Sequence, residues 1–356
     1  MNEADTRAEL IDPALKLAGW GVVGDSRVRR EVIAPGRIRL GGRNDRGEVS
    51  DYVLTYRNQK LAVIEAKAFD KGDTEGLGQA KTYAKKLQVR FAISTNGQRI
   101  YSADLETGTE GYIDAFPTPD ELWAAINGSP NLWRDRFAAI PFEDNGGQWQ
   151  PRYYQEIAVR KVLEAITQGR SRMLLTLATG TGKTSIAFQL AWKLFQSRWN
   201  LTDWKTTGDP TRRPRILFLA DRNILADQAY GAFGAFADGA LVRIDPDEIR
   251  KQGRVPKNGS VFFTIFQTFM TGTDEDGNSV PKFDDYPSDF FDLVIVDECH
   301  RGGADDESTW RAILDHFAPA VQVGLTATPR RQGNTNTYRY FGEPVYIYSL
   351  REGVNW

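Results

Sequence analysis

The sequence is poor in residues that cross-link chains or bind transition metals. Among its 356 residues Cys299 is the one cysteine, and the histidines are His300 and His316. A disulfide framework or a cysteine-rich zinc site is therefore not expected. No apolar run is long enough to span a bilayer, and the N-terminus lacks the apolar stretch of a signal peptide. We therefore expect a cytoplasmic protein.

The chain also has little net charge, −2 at pH 7. A protein that wraps nucleic acid with its whole surface is usually strongly basic, so the composition argues against that class. A local basic groove is still compatible with this composition. Hydrophobic residues make up 41% of the chain, which at this length is enough for two or three packed domains.

The stretch Leu174–Thr184 organises the chain. The apolar run at its start predicts a buried strand, small and glycine-rich residues follow, and a helical apolar pattern comes next. In a strand–loop–helix context, successive N–H groups of the loop and the helix N-terminus can hold phosphates. Lys183 would reach the β- and γ-phosphates, and Thr184 would ligate Mg²⁺. The predicted ATP-binding residues of the loop are Thr179, Gly180, Thr181, Gly182, Lys183 and Thr184.

One position departs from the general phosphate-loop pattern, because Leu177 stands where glycine is usual. The form Ala-Thr-Gly-Thr-Gly-Lys-Thr resembles the loop of DNA and RNA translocases. Upstream, Gln155 opens a predicted helix. The resemblance implies that its amide reads adenine, and the alternative is a solvent-exposed helix glutamine.

A second nucleotide signal follows the apolar run Leu293–Val296, which predicts a strand ending in Asp297 and Glu298. Asp297 is predicted to hold Mg²⁺, largely through water, and Glu298 to orient and deprotonate the attacking water. His300 would sense the γ-phosphate. The next predicted strand runs into Thr326-Ala-Thr328-Pro. Asp-Glu-Cys-His and Thr-Ala-Thr-Pro together resemble motifs II and III of superfamily 2 helicases, which implies that both threonines couple ATP to movement.

Carboxylates and a lysine stand out on a predicted hairpin in the first 115 residues. Asp51 begins one strand, and Glu65 and Lys67 leave the same face of the other. A turn across Asn58-Gln59-Lys60 would bring Asp51 close to Glu65. Two carboxylates suit Mg²⁺, which can activate water for phosphodiester cleavage. The bare pattern also occurs on solvated sheet faces.

This arrangement resembles the PD-(D/E)xK nuclease family, although Ser50 stands where proline often precedes the first aspartate. The resemblance implies that Glu9, on the leading helix, adds a metal ligand. After the Glu-x-Lys strand, Gln79 and Tyr83 form a Gln-x-x-x-Tyr motif. That motif resembles the nuclease domains of type I restriction subunits and RecB-like nucleases.

The predicted fold is α/β, a restriction-endonuclease-like nuclease domain followed by a RecA-like parallel-sheet P-loop NTPase lobe. We expect the nuclease domain at 1–115, a connector at 116–147, the first motor lobe at 148–335 and the start of a second lobe at 336–356. The arginine that a second lobe supplies is not recognisable. The sequence is therefore expected to be the front portion of a longer protein, with little ATP hydrolysis by itself.

The combination resembles the R subunit of type I restriction-modification enzymes. The resemblance implies ATP and Mg²⁺ as cofactors, double-stranded DNA as the substrate, and methyltransferase and specificity subunits as partners. It implies translocation on DNA and cleavage away from the recognition site. Two alternatives stay open: a stand-alone helicase–nuclease of another defence or repair system, and a nucleotide-gated DNA-binding scaffold whose nuclease fold is inactive.

Overall fold

Two compact units divide the chain, one containing Met1–Asn131 and the other Leu132–Leu350. The computed structural model describes residues 1–33, 49–220, 223–237, 239–270, 281–299, 311–327 and 337–349. Within these ranges, no helix combines the length and the apolar character needed to cross a membrane.

The first unit is built on a six-stranded sheet in the order β1-β2-β3-β4-β5-β6. All neighbours are antiparallel except β3 and β4, which are parallel. In chain order the elements are α1 (Glu3–Thr6), a π-helical turn (Arg7–Ile11), α2 (Asp12–Leu17), β1 (Ser26–Ile33), β2 (Val49–Tyr56), β3 (Gln59–Ala66), α3 (Leu77–Lys86), β4 (Phe91–Thr95), β5 (Ile100–Asp104), β6 (Glu110–Ile113) and α4 (Pro119–Asn127). Strand β6 was not predicted.

Side chains of β2 alternate between two apolar clusters, one on each face of this sheet. Tyr52 and Leu54 pack with the leading helix and with Leu122 of α4. Val53 packs on the opposite face with Tyr83 of α3. Both faces of the sheet are therefore covered by helices, and polar side chains near the strand ends remain available for chemistry.

The predicted hairpin of β2 and β3 is present, with its turn one residue earlier than expected. Arg57 and Asn58 form the turn with φ of 49° and 59°. Two successive residues with positive φ are typical of the tight turns that match strand twist. Gln59 and Lys60 belong to β3 rather than to the turn.

The second unit is built on a seven-stranded sheet in the order β13-β7-β12-β11-β8-β10-β9, and every described pair is parallel. Its apolar strands are buried between helices, as expected for a parallel sheet. In chain order the elements are α5 (Leu132–Ala139), α6 (Tyr153–Thr167), β7 (Arg172–Leu177), α7 (Lys183–Gln196), β8 (Ile216–Ala220), α8 (Asn223–Ala232), β9 (Leu241–Arg243), α9 (Pro246–Gln252), β10 (Val261–Ile265), α10 (Phe266–Met270), a 3-10 turn (Lys282–Asp285), β11 (Leu293–Asp297), α11 (311–316), β12 (Val321–Thr326), α12 (Thr337–Phe341) and β13 (Tyr346–Tyr348). The predicted parallel sheet is confirmed.

The structure corrects the end of the expected motor lobe. Tyr346–Tyr348 pairs in parallel with β7 and forms an edge strand of the same sheet. The prediction that a second lobe starts at 336 is therefore wrong for residues 337–349. The expected connector at 116–147 is divided between the two units. Leu122 packs in the first unit, and Trp133 packs in the core of the second.

Candidate functional sites

The phosphate loop lies between β7 and α7, and two glycines give it its shape. Gly180 and Gly182 have φ of 81° and 78°, a region in which residues with a side chain are strained. Gly182 is the N-cap of α7, so the loop leads directly into a helix N-terminus. A Cβ at Gly182 would lie 2.5 Å from Nε2 of Gln155, so a side chain here would force the Gln155 amide to shift from its present position.

Gln155 is buried, with 5% of its surface exposed, and it holds the phosphate loop. Its Nε2 donates to the carbonyl oxygen of Thr181 at 2.9 Å, and its Oε1 accepts from the N–H of Arg152. Tyr154 donates its hydroxyl to the same Thr181 oxygen at 3.0 Å. The solvent-exposed alternative for Gln155 is therefore wrong. The amide nitrogen and oxygen of Gln155 both form hydrogen bonds within the protein. The contact of this amide with adenine stays a prediction.

Strand β13 supports this corner of the loop, a contribution that sequence reasoning missed. The N–H of Ala178 donates to the carbonyl oxygen of Tyr348 at 2.9 Å. The Tyr348 ring stacks on that of Tyr154 at 4.1 Å between centroids. The available signal was the strand propensity of Tyr346-Ile-Tyr348, which we assigned to another lobe.

Lys183 and Glu298 meet across the edge of the sheet. The Lys183 ammonium lies 3.0 Å from Oε1 of Glu298, and both side chains are largely buried. Glu298 follows β11 directly with φ of 53°, and its N–H donates to Oδ1 of Asp297 at 3.0 Å. The positive φ turns the chain sharply at the strand end and directs the Glu298 carboxylate at the lysine of the phosphate loop.

The sheet register aligns the other predicted nucleotide residues at the same edge. Asp297 pairs with Leu325 of β12, and Thr326 pairs with Thr176 of β7, so the three strands end together beside the loop. Asp297 and Thr326 are buried, and Thr184 is half-buried at the start of α7. A hydroxyl and a carboxylate at one sheet edge are the hard oxygen donors that suit Mg²⁺. The predicted coupling residues His300 and Thr328 lie outside the described residues.

The predicted carboxylates and lysine of the first unit lie together. Oδ2 of Asp51 accepts the N–H of Ala66 at 2.8 Å, which places Asp51 beside the end of β3. On β3, Oε2 of Glu65 lies 3.9 Å from the Lys67 ammonium. Lys67 also donates to Oε1 of Gln79 at 3.0 Å. Antiparallel pairing of β2 with β3 thus produces the expected juxtaposition of these groups.

Glu65 is the most constrained member of this cluster, with 3% of its surface exposed. Burial, and then the nearby charge of Asp51, raises the pKa of Glu65 to about 8, while Lys67 acts in the opposite direction. Its Oε1 is buried without a hydrogen-bond partner. A divalent cation would satisfy that oxygen and offset the repulsion between the carboxylates, so the pair fits a metal ion. Over the described ranges, no cluster of three or more His, Cys, Asp or Glu suited to a metal occurs.

The other two predicted accessory residues, Tyr83 and Glu9, lie in different surroundings. Tyr83 lies on the buried face of α3 among apolar side chains, where it contributes to packing. Glu9 is exposed. The residue of the leading helical segment that reaches the carboxylates is Arg7, whose Nη1 lies 3.0 Å from Oδ1 of Asp51. Sequence reasoning missed Arg7 because an arginine at a helix start carries no distinguishing signal.

Gly76 is a further residue that the sequence did not indicate. It is the N-cap of α3 and lies against the cluster. A Cβ there would lie 2.8 Å from Cβ of Glu65, 2.9 Å from Oγ of Ser94 and 3.1 Å from Cε of Lys67. Glycine therefore allows α3 to approach β3 closely enough for Gln79 to reach the lysine.

The chain is similar to several known proteins. The family model described as type III restriction enzyme, res subunit, matches residues 148–331. The endonuclease subunit of the Escherichia coli type I restriction enzyme EcoAI is 38% identical over 381 residues, covering 99% of this chain and 42% of the relative. The corresponding EcoKI subunit from Escherichia coli strain K12 is 29% identical over 440 residues, covering 99% of this chain and 34% of the relative.

A solved structure is also similar over the whole length. It is a fragment described as an HsdR subunit of a type I restriction enzyme from Vibrio vulnificus YJ016, with a TM-score of 0.76 and 40% identity. It covers 100% of this chain, which in turn covers 61% of that fragment. The chain spans less than half the length of the two curated relatives. Since the family model matches just over half of its residues, the chain belongs to the restriction-enzyme res-subunit family, and its homologues along the whole chain are type I endonuclease subunits.

Proposed function

We propose that the chain is the nuclease and first motor portion of the R subunit of a type I restriction enzyme. That subunit would drive translocation on double-stranded DNA with ATP and cut DNA, with Mg²⁺, away from the recognition site. The observation that carries the proposal is the presence, in one chain, of the Lys183–Glu298 pair and the cluster of Asp51, Glu65 and Lys67. The similarity to type I endonuclease subunits over 99% of the chain supports the same assignment.

The motor step follows from the residues around the phosphate loop. Loop N–H groups and the α7 N-terminus would bind the phosphates of ATP. Lys183 would exchange Glu298 for the β- and γ-phosphates, which frees the Glu298 carboxylate. That carboxylate would then orient the attacking water and accept its proton. Thr184 and Asp297 would hold Mg²⁺, which when bound neutralises developing charge on the phosphates.

The cleavage step is assigned to the first unit. Asp51 and Glu65 would hold Mg²⁺, which when bound supplies an activated water and a Lewis acid for the phosphodiester. Lys67, kept beside Glu65 by Gln79, would neutralise charge that develops on the phosphate. Glu65 is buried, and its low-dielectric surroundings would strengthen these electrostatic interactions.

The partners follow from the same assignment. The relatives are named as endonuclease subunits, so each works within a larger enzyme. We propose that methyltransferase and specificity subunits hold the recognition site while this chain acts on the flanking duplex.

Plasmid cleavage by the R subunit that contains this chain, with ATP and Mg²⁺ and with or without the methyltransferase–specificity complex, tests the proposal. Cleavage that needs both ATP and the complex is the expected result. Lys183→Ala should abolish ATP-dependent cleavage, and Asp51→Ala should abolish cleavage while ATP hydrolysis persists. Cleavage without the complex would favour a stand-alone helicase–nuclease. ATP hydrolysis with no cleavage by any assembly would favour a scaffold with an inactive nuclease.

A further inference from the structure

Arg7 lies where the cluster of Asp51 and Glu65 would receive a cation. Its Nη1 is 3.0 Å from Oδ1 of Asp51, and its Nη2 is 3.6 Å from Oε1 of Glu31. The other Asp51 oxygen accepts the N–H of Ala66. The guanidinium therefore contacts Oδ1, the Asp51 oxygen that does not accept the Ala66 N–H.

A guanidinium and a divalent ion compete for that oxygen. Mg²⁺ binds oxygen ligands at about 2.1 Å and demands regular geometry, which a guanidinium on the same oxygen obstructs. The two cations also repel each other at this separation. The side chains of Arg7 and Asp51 are 24% and 15% exposed, so solvent screens the pair only in part.

Glu31 offers the guanidinium a second acceptor. It lies on β1 with φ of 53°, which interrupts the regular strand, and its side chain is 70% exposed. The regular register pairs Arg30 with Tyr52 and Val32 with Ser50, so Glu31 lies level with Asp51 on the neighbouring strand. Arg7 can therefore leave Asp51 without losing every carboxylate contact.

The backbone at Arg7 is fixed in a way that suits this role. Arg7 starts the π-helical turn Arg7–Ile11, and such turns are frequent at functional sites. The preceding Thr6 is fully buried, and its hydroxyl accepts the N–H of Phe69 at 3.1 Å, in the loop after Lys67. The start of the helical segment is thus tied to the strand end that carries the cluster.

We propose that Arg7 is the resident counter-cation of the Asp51–Glu65 pair, that a divalent ion displaces it from Asp51, and that Glu31 then retains the guanidinium. Arg7 is on this view a positioning residue that sets the metal concentration at which the site loads. The inference depends on the proposed nuclease centre at these carboxylates.

Calorimetric titration of the chain with Mn²⁺ alone, without nucleotide or DNA, tests the inference independently of cleavage. Arg7→Gln keeps much of the side-chain volume and removes the competing charge, so Mn²⁺ should bind about three- to tenfold more tightly. Glu31→Gln should weaken Mn²⁺ binding, and it should have no effect when Arg7→Gln is also present. Arg30→Gln is the matched control. It also removes one positive charge next to Glu31, but the arginine that it replaces is paired with Asp12.

The Asp51→Asn variant separates the two levels of the argument. If Asp51→Asn leaves Mn²⁺ binding unchanged, the proposed nuclease centre and the role of Arg7 are both overturned. If Asp51→Asn removes binding but Arg7→Gln behaves like Arg30→Gln, the role of Arg7 alone is overturned. Equal thermal unfolding midpoints for the parent, Arg7→Gln and Arg30→Gln exclude a folding defect. Arg7→Lys should give an affinity between those of the parent and Arg7→Gln.

Discussion

The ammonium of Lys183 lies 3.0 Å from a carboxylate oxygen of Glu298, so the lysine of the phosphate loop and the proposed general base neutralise each other. Both side chains are largely buried, at 10% and 13% exposure. Water therefore weakens this ion pair much less than it weakens a pair at the protein surface. In the proposed motor, ATP would have to break this pair to engage the lysine. Binding of the phosphates and release of the base would then be the same event, which would make hydrolysis dependent on a correctly seated γ-phosphate.

Exchange of Glu298 for glutamine should separate nucleotide binding from hydrolysis. Glu298→Gln removes the base, so DNA-stimulated hydrolysis by the assembled enzyme should fall by about 10²- to 10⁴-fold. It also removes the ion pair that ATP must break, so ATP should bind at least as tightly as before. Lys183→Ala is the matched variant and should lose both binding and hydrolysis. Weaker ATP binding by Glu298→Gln, measured by calorimetry, would contradict the exchange.

Gly182 should tolerate a side chain less well than Gly180, although both have positive φ. Gly180→Ala carries only backbone strain of about 1–2 kcal/mol, because nothing lies within 4 Å of its Cβ position. Gly182→Ala adds a contact of 2.5 Å with Gln155. ATP affinity should therefore fall further for Gly182→Ala.

A double-mutant cycle checks the cause of that difference. Gln155→Ala removes the atom that the new methyl group would meet. In that background the effect of Gly182→Ala on ATP affinity should shrink to the effect of Gly180→Ala. Additive effects would show that Gln155 is not the obstacle.

Gly76 and Gly78 form a matched pair for the proposed nuclease role of the cluster of Asp51, Glu65 and Lys67. Gly76→Ala would place Cβ 2.8 Å from Cβ of Glu65, while Gly78→Ala meets nothing within 4 Å. Overpacking of this kind costs about 1–3 kcal/mol and shifts the backbone, so Gly76→Ala should reduce DNA cleavage at least about tenfold. Its ATP affinity should be unchanged. Gly78→Ala lies in α3 and should keep full cleavage with about 0.5–1 kcal/mol of added stability. Equal cleavage by the two variants would refute the close-approach argument.

The sequence allowed the local parts of both sites to be predicted. The phosphate loop, the strand ending in Asp297 and the hairpin carrying Asp51 and Glu65 each depend on a few consecutive residues with a clear period or composition. The parallel sheet followed from unbroken apolar runs. These features are specified by neighbours in the chain, so a single sequence is enough to find them.

The parts that were missed depend on contacts between distant segments. Tyr348 joins the sheet through a strand 171 positions after Leu177, and nothing local distinguishes that from a new lobe. Arg7 reaches Asp51 only because a π-helical turn and the anchor at Thr6 set its direction. Gln155 turns inward because the loop offers the Thr181 carbonyl. Side-chain direction at such points is decided by packing, which the period of a sequence does not encode.

Lys193 should make the stability of the second unit depend on pH. It is buried in α7, and its ammonium donates to the carbonyl oxygens of Phe137 and Ile140 at the end of α5. Burial lowers the pKa of Lys193 to about 7, and Glu156 opposes the shift. The unfolded chain keeps its proton to a pKa of about 10.4. Between pH 7 and about 10 the unfolded state therefore binds more protons, and the free energy of unfolding should rise with pH.

Urea unfolding between pH 7 and 9.5 measures this slope against Lys193→Met, which cannot be protonated. The difference in unfolding free energy between the parent and Lys193→Met should shift in favour of the parent as pH rises, because the parent no longer has to bury a charge. Lys161→Met is the control, since Lys161 is exposed on α6 and leaves the same groups to titrate. Parallel pH profiles for the parent, Lys193→Met and Lys161→Met would mean that Lys193 keeps its charge in the folded unit. The carbonyl oxygens of Phe137 and Ile140 would then accept hydrogen bonds from a buried ammonium. Packing elsewhere in the core would have to offset the free-energy cost of burying that charge.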